Sequence, residues 1–213
     1  MNHHIQNLIK QGEHQQLDFK YSITDSKKIA RSLAAFANTK GGKLLVGVKD
    51  NGAIAGVRDD EEFYMVQAAA QLYCKPEIKF ETKIWEINGK TVLEITVPEN
   101  DNIIYSAPNK DGIWKVYIRV NDQNFTANSI LLKVWQKQKS KKGVLVRYSE
   151  IEKLLFDYLA ENKKITFSKF KKLASISKQK AEKILVNLIV LNLIEIEFTE
   201  NQVFYKNSDK IMT

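Results

Sequence analysis

The sequence predicts an α+β fold with a mixed sheet, in two domains, and three observations support this prediction. In the first part of the chain, stretches in which apolar and polar residues alternate are mixed with stretches in which apolar residues recur every three or four positions, the patterns of strands and helices. The last part shows three helix patterns followed by one hairpin. Between them, residues 137–142 contain four lysines and no apolar side chain. We therefore predict domains over residues 1–136 and 147–213, joined by a basic linker over 137–146.

The composition predicts a folded protein that does not span a membrane. Hydrophobic residues make up 44% of the 213 residues, and no run approaches the roughly 18 uncharged apolar residues of a membrane helix. The first residues do not have the basic and apolar regions of a secretory signal, so we expect a cytoplasmic protein. The net charge of +8 favours a polyanionic partner. Because Cys74 is the only cysteine, an intrachain disulfide is excluded, and we predict that Cys74 is a thiol in the core.

The first elements of the N-terminal domain follow from apolar spacing. Residues 3–11 are predicted to form a short amphipathic helix and residues 17–21 a strand. Asp25 is of a residue type that caps helices, and apolar side chains follow it at spacings of three and four. These apolar residues are Ile29, Ala30, Leu33, Phe36 and Ala37. Gly41 and Gly42 are predicted to end this helix.

The remaining elements of this domain are predicted from strand alternation and from turn sequences such as Asn88-Gly89. In order, they are strands over 43–48 and 53–57, a helix over 59–74, a hairpin with strands over 78–87 and 91–97, a strand over 114–120 and a helix over 129–138. Helices that alternate with paired strands predict a mixed sheet covered by helices.

In the C-terminal domain, three serines stand where helices are predicted to begin. They are Ser149, which has Glu152 at capping-box spacing, Ser168 and Ser177. A hairpin with strands over 193–198 and 203–206 is predicted to follow the third helix. This order of elements resembles winged helix-turn-helix modules over roughly residues 147–207.

Several segments of the N-terminal domain, taken together, resemble the Schlafen-type Alba-like family, once called the divergent AAA domain. They are Glu13, Asp18 and Lys20, the run from Ala35 to Gly52, Ile54 to Val57, Val97-Pro98, and Tyr117 to Arg119. The resemblance covers roughly residues 8–130. It implies a nucleic-acid-binding domain of the kind common in prokaryotic transcriptional regulators.

Some Schlafen relatives cut RNA with three carboxylates, and the matching positions here are Glu13, Asp18 and Asp50. Three carboxylates and a nearby lysine could hold Mg²⁺ or Mn²⁺ beside a phosphodiester. Two features oppose this function: the family usually has the longer Glu at position 18, and Asp50 precedes an Asn-Gly turn, where Asp is common for its own backbone hydrogen bonds. We therefore expect no covalent catalysis and keep a metal-dependent ribonuclease as the alternative.

The former AAA name raises the question of ATP binding. The nearest match to a phosphate-binding loop is Gly42-Lys43, but Ala37 stands where the first glycine is required and Leu44 where the hydroxyl residue is required. We expect no ATP and, outside the ribonuclease alternative, no metal cofactor.

Candidate nucleic-acid-binding residues form three groups. Three lie on the outer face of a predicted helix: Lys27, Lys28 and Arg31. Four belong to the basic linker region: Lys137, Lys139, Lys141 and Lys142. Five lie on the outward side of the third C-terminal helix, which in winged-helix modules enters the major groove: Ser177, Lys178, Gln179, Lys183 and Asn187. Lys180 and Glu182 are predicted on the same side of this helix. The following hairpin is acidic and is not expected to bind phosphate.

These observations predict a transcriptional regulator that binds duplex DNA as a homodimer. Paired half-sites favour two-fold symmetry, and four apolar residues give the helix over 129–138 more apolar surface than a linker helix needs. They are Ile130, Leu131, Val134 and Trp135. Two alternatives stay open: the metal-dependent ribonuclease, and a protein-docking module whose winged helix pairs subunits.

Overall fold

A computed structural model describes residues 3–57, 60–140 and 148–208. The chain divides into two compact units, an N-terminal unit up to Ala127 and a C-terminal unit from Asn128. The helix predicted over 129–138 therefore belongs to the C-terminal unit, whereas the sequence-based division placed it in the first domain. The reason is that Ile130 and Val134 are buried in the core of the C-terminal unit. Most of the predicted linker lies outside the described residues.

The N-terminal unit contains a mixed sheet, as predicted. Its elements are α1 (His3–Gln11), β1 (Leu17–Lys20), α2 (Ser26–Ala37), β2 (Gly42–Val46), α3 (Glu61–Leu72), β3 (Glu81–Ile87), β4 (Lys90–Val97), β5 (Ser106–Pro108), β6 (Trp114–Val120) and β7 (Gln123–Thr126). Four strands form a sheet in the order β1-β2-β4-β3, in which β1 and β2 are parallel and the other pairs antiparallel. A second, antiparallel sheet has the order β5-β6-β7.

Helix α2 is the centre of the N-terminal unit. Asp25 caps it as predicted, because its side chain accepts hydrogen bonds from the backbone N–H groups of Lys27 and Lys28. The predicted apolar residues of α2 are all buried, in a core shared with α3, β2 and β4. The same helix also packs on β5 and β6. Cys74, just after α3, is buried in this core, and its Sγ lies 3.5 Å from the carbonyl oxygen of Ala30.

One predicted strand does not form, and two strands of the structure were not predicted. Residues 53–57 make only an isolated bridge, between Val48 and Ile54, and no strand. Gly47 has a φ of +90°, and its carbonyl oxygen accepts hydrogen bonds from the N–H groups of both Ala55 and Gly56, so the chain closes a loop instead of continuing a ladder. Strands β5 and β7 were not predicted, because both are short and neither shows a regular alternation of apolar and polar residues.

The C-terminal unit contains α4 (Ser129–Lys139), α5 (Glu150–Asn162), β8 (Lys164–Thr166), α6 (Phe167–Leu173), α7 (Lys178–Val190), β9 (Ile194–Phe198) and β10 (Val203–Asn207). Its antiparallel sheet has the order β8-β10-β9. Ser149 forms the predicted capping box of α5, and Ser177 caps α7. Ser168 does not cap α6: the helix begins earlier, and Thr166 accepts the hydrogen bond from the N–H of Lys169. Within the described ranges, no helix is long and apolar enough to cross a membrane.

Candidate nucleic-acid interface

A cavity of about 240 Å³ lies in the N-terminal unit between β1, α2 and β6, and we call it the α2–β6 pocket. Its charged lining residues are four cations and two carboxylates, which gives a net charge of +2. They are Lys20, Lys28, Arg31, Arg119, Asp18 and Asp122. The pocket is therefore both polar and net positive.

Regular backbone spacing brings these side chains together. On β1, residues two apart point to the same face, so Asp18 and Lys20 both face the pocket. Lys28 and Arg31 are three residues apart on α2 and are neighbours on one helix face. Arg31 Nη1 also donates a hydrogen bond of 3.3 Å to the carbonyl oxygen of Pro108. Because α2 is capped and packed on both sheets, the backbone that carries its two basic residues is held in place.

The floor of the pocket is a buried ion pair. Arg119 is 3% exposed and Asp18 is 4% exposed, and Nη2 of the arginine lies 3.1 Å from Oδ1 of the aspartate. Arg119 also donates to the carbonyl oxygens of His14 and Leu17. Oδ2 of Asp18 lies 2.9 Å from Nζ of Lys20. Asp18 and Arg119 therefore join β1 to β6, and both carboxylate oxygens have cationic partners.

The structure brings together two of the three candidate catalytic carboxylates. Glu13 Oε1 accepts a hydrogen bond from the N–H of Phe19, and the Glu13 and Asp18 side chains interact directly. Asp50 is exposed in a turn after β2. Among residues 3–57, 60–140 and 148–208, no three acidic, histidine or cysteine side chains form a group that could hold a metal ion. Asp50 thus does not complete a triad with Glu13 and Asp18 in this structure.

The pKa values of this carboxylate pair move in opposite directions. Burial raises the pKa of Asp18, but the charge of Lys20, a hydrogen bond with Glu13 and the charge of Arg119 together outweigh it and hold the pKa below the ordinary value. Burial, followed by the hydrogen bond with Asp18, raises the pKa of Glu13. Asp18 is thus the stable anion of the pair, and its role in the structure is that of a counter-ion to Arg119 and Lys20.

The basic residues proposed for α2 do not share one surface. Lys28 and Arg31 line the α2–β6 pocket, whereas Nζ of Lys27 lies 5.6 Å from the ring centroid of Tyr73. Tyr117 also lines the pocket, and burial raises its pKa. Neither Tyr117 nor Arg119 was predicted as a binding residue, although both belong to the Tyr117–Arg119 segment that supported the family resemblance.

The candidate residues of the C-terminal unit lie around α7. A groove of about 400 Å³, the α4–α7 groove, is lined by residues of both helices, among them Lys137, Gln179, Lys183 and Asn187. Lys137 donates a hydrogen bond to Oδ1 of Asn187. The other candidates are placed as follows: the Ser177 side chain accepts a hydrogen bond from the N–H of Lys180, Lys178 and Lys139 are exposed, and Lys141 and Lys142 lie outside the described residues.

One residue of α7 does not lie where the helix pattern predicted. Glu182 was expected on the outward face of the helix, but it is 6% exposed. It accepts hydrogen bonds from Lys133 and from Ser129 Oγ, both on α4. The sequence could not show this, because the pattern of α7 alone does not reveal that another helix covers it.

Fold and pocket together define an α+β protein with a net-positive polar cavity in its N-terminal unit. A model of the family described as Schlafen, AlbA_2 matches residues 13–128, which is more than half of the chain. The chain therefore belongs to the Schlafen AlbA_2 family, as the sequence motifs indicated.

Two solved structures resemble this chain at low sequence identity. The DIP2311 protein from Corynebacterium diphtheriae is 18% identical, with a TM-score of 0.46; the match covers 78% of this chain and 31% of that chain. The N-terminal domain of an ATP-dependent DNA helicase RecG-related protein from Nitrosomonas europaea is 19% identical, with a TM-score of 0.37; the match covers 68% of this chain and 96% of that domain. No curated protein sequence matches the chain.

Proposed function

We propose that this protein binds nucleic acid, and that it is a cytoplasmic, DNA-binding transcriptional regulator that performs no covalent catalysis and needs no ATP. The observation that carries the proposal is the α2–β6 pocket, in which four cations face two carboxylates. Family membership supports it, because Schlafen-type Alba-like domains are common in such regulators. On DNA, clustered Lys and Arg side chains bind the phosphate groups of the backbone.

Two cations of the pocket are the best candidates for phosphate contacts. Lys20 and Arg119 already neutralise Asp18, so Lys28 and Arg31 supply the charge that is left for a ligand. Lys28 is exposed, and a guanidinium has five donors, of which Arg31 uses one on Pro108. The planar guanidinium of Arg31 suits a phosphate group, because two of its N–H groups can donate to two oxygens.

Replacing Lys28 and Arg31 by glutamine is expected to weaken binding of all duplexes alike. Two lost phosphate contacts should lower the slope of log affinity against log salt by about 0.9 each. Binding measured by fluorescence anisotropy over a range of salt concentrations checks this result. The control variant is Lys79→Gln with Lys83→Gln, which removes the same charge from two exposed positions of the same unit. Equal losses in the two variants would contradict the proposed site.

The ribonuclease alternative is tested on the same protein. We expect no cleavage of structured RNA in the presence of Mn²⁺, because Asp18 is bound by Arg119 and Lys20, and because Asp50 does not form a metal-binding group with Glu13 and Asp18. Gel analysis of labelled RNA checks this expectation. If RNA is cut, and Asp50→Ala abolishes cleavage while the circular dichroism spectrum is unchanged, then the ribonuclease function replaces our proposal.

We propose that the C-terminal unit is a winged-helix module. Its order of elements from α5 to β10 is the order of such modules, and Ser177 begins the helix that would correspond to the recognition helix. We also propose a homodimer, but only on the symmetry of paired half-sites. Of the four apolar residues that favour a dimer surface, Ile130 and Val134 are 3% and 2% exposed within their own unit, whereas Leu131 and Trp135 are half-buried. The docking module stays the alternative if no nucleic acid binds.

A further inference from the structure

Another cavity of the N-terminal unit, of about 500 Å³, lies where the parallel strands β1 and β2 end, and we call it the α3 pocket. Residues 21–24, which directly follow β1, form one side of it. Gly56, in the loop after β2, and the first turns of α3 form the rest. In sheets with parallel strands, ligands bind in the crevice outside the carboxyl ends of the strands. The volume of the α3 pocket is also typical of small-molecule sites.

Glu62 occupies a position of α3 that faces the core. It lies four residues before Val66 and eight residues before Ala70, so the three side chains share one face of the helix. Val66 and Ala70 are buried in the core of the unit. Glu62 is itself only 9% exposed, and it lines the α3 pocket. A glutamate is rarely buried to this extent unless it is paired.

One carboxylate oxygen of Glu62 is buried without a hydrogen-bond donor. In the part of the chain that the structure describes, no group donates to its Oε2. The partial positive charge of about +0.5 at a helix start favours an acidic residue in the first turn, but it gives this oxygen no donor. A buried polar group without a partner costs stability, and an apolar side chain would avoid that cost. A donor from outside the chain would remove it.

The other walls of the α3 pocket combine apolar surface with hydroxyl groups. Ile23 is buried and Met65 is half-buried, and both line the pocket. Tyr21, Ser22 and Thr24 are exposed and bring three hydroxyl groups to its rim. A short carbon chain can therefore pack on the apolar side chains while a polar end group reaches Glu62.

The charge of the α3 pocket is opposite in sign to that of the α2–β6 pocket. Of the lining residues that the structure describes, the charged ones are Glu61 and Glu62, and both are acidic. Carboxylates attract a cation and repel a phosphate or a carboxylate group. The terminal torsion of a glutamate side chain is broad, so a small rotation turns Oε2 toward a donor in the pocket.

We infer that the α3 pocket binds a small organic cation, whose ammonium or guanidinium group donates to Glu62 while its carbon chain packs on Ile23 and Met65. Such a group supplies both the positive charge and the N–H donor that Oε2 lacks. A metal ion is a poorer occupant, because the described residues form no group of three acidic, histidine or cysteine side chains. The inference is independent of the proposed nucleic-acid binding, because Glu62 does not line the α2–β6 pocket.

The test measures the binding of two amines to the full chain by isothermal titration calorimetry. The probes are putrescine, which carries ammonium groups, and agmatine, which also carries a guanidinium group. Butanediol with terminal hydroxyl groups is the uncharged control of the same chain length. We expect both amines to bind and the diol not to bind. Glu62→Gln should weaken amine binding about 10- to 100-fold, the usual effect of one charge-assisted hydrogen bond. The control variant, Glu77→Gln at an exposed position of the same unit, should leave it unchanged.

Thermal unfolding without any amine is a second measurement that does not depend on the choice of probe. Glu62→Gln should leave the melting temperature unchanged or raise it, because Oε2 loses no partner. A large fall would show that the chain itself supplies a donor to Glu62, and it would overturn the inference. Absence of binding by both amines, equal binding of the diol, or equal losses of amine affinity in the two variants would also overturn it. The proposed function would be refuted by a different result, failure of the unmodified chain to bind any duplex at low salt.

Discussion

Asp18→Asn is expected to destabilise the N-terminal unit by about 3–5 kcal/mol, the usual cost of removing one partner of a buried ion pair. The substitution keeps the shape of the side chain but leaves the guanidinium of Arg119, whose side chain is 2% exposed, without its counter-ion. It also removes the nearer of the two carboxylate partners of Lys20, whose Nζ lies 2.9 Å from Asp18 and 3.9 Å from Glu13. Urea unfolding followed by peptide-resolved hydrogen exchange measures the effect in this unit alone.

Glu13→Gln is the matched comparison and is expected to leave stability unchanged or to raise it. The pKa of Glu13 is raised, so its contribution to stability is present below its ordinary value of 4.5 and is lost as the pH rises. The pKa of Asp18 is lowered, so its contribution is present above its ordinary value of 3.8 and is lost as the pH falls. Of these two carboxyl groups, only Asp18 therefore contributes to stability through its pKa shift at pH 7. Equal destabilisation by the two variants would contradict the counter-ion role of Asp18.

Gly41→Ala is expected to cost about 2–5 kcal/mol, because backbone strain of about 1–2 kcal/mol adds to an overpacking cost of about 1–3 kcal/mol. Gly41 has a φ of +65°, and a Cβ atom there would lie 2.7 Å from both the backbone N of Glu99 and the carbonyl oxygen of Val97. Backbone atoms held in the β4 region cannot move aside as the end of a side chain can. The shift of the urea midpoint measures the effect.

Gly89→Ala separates the cost of backbone strain from the cost of overpacking. Gly89 also has a positive φ, of +74°, but a Cβ atom there would meet nothing within 4 Å. Its substitution is therefore expected to cost only about 1–2 kcal/mol, the conformational strain alone. A similar loss of stability in the two alanine variants would show that the close approach at Gly41 is relaxed at little cost. Close contacts account for both neighbouring glycines: a Cβ atom would meet backbone at Gly41 and the Phe36 ring at Gly42.

Much of the fold was predictable because its signals are local. Asp25, Ser149 and Ser177 cap helices through hydrogen bonds to residues two or three positions away, and such spacings are visible in the sequence. The loop over 53–57 was not predictable in this way, because it depends on the conformation of Gly47 and on hydrogen bonds that close around it.

The candidate sites were predicted only in part, because they are made by residues distant in sequence. Lys28 and Arg31 were identified from one helix face, but Arg119, about ninety residues away, forms the floor of the same pocket. The grouping of Glu13 with Asp50 came from family resemblance, and the structure does not join them in one metal-binding group. On α7, Glu182 is buried by α4, a contact between residues about fifty positions apart.

Because Cys74 is buried, the folded chain is expected to react very slowly with thiol reagents. Its side chain is the only thiol of the 213 residues, it is 2% exposed, and burial raises its pKa to about 12. Thiolate is the species that reacts with oxidants and maleimides, so almost none forms at neutral pH. Oxidising and reducing conditions should therefore leave the folded protein equally intact. A cysteine introduced on α4 or α7 would be the single site to accept a spin label or fluorophore.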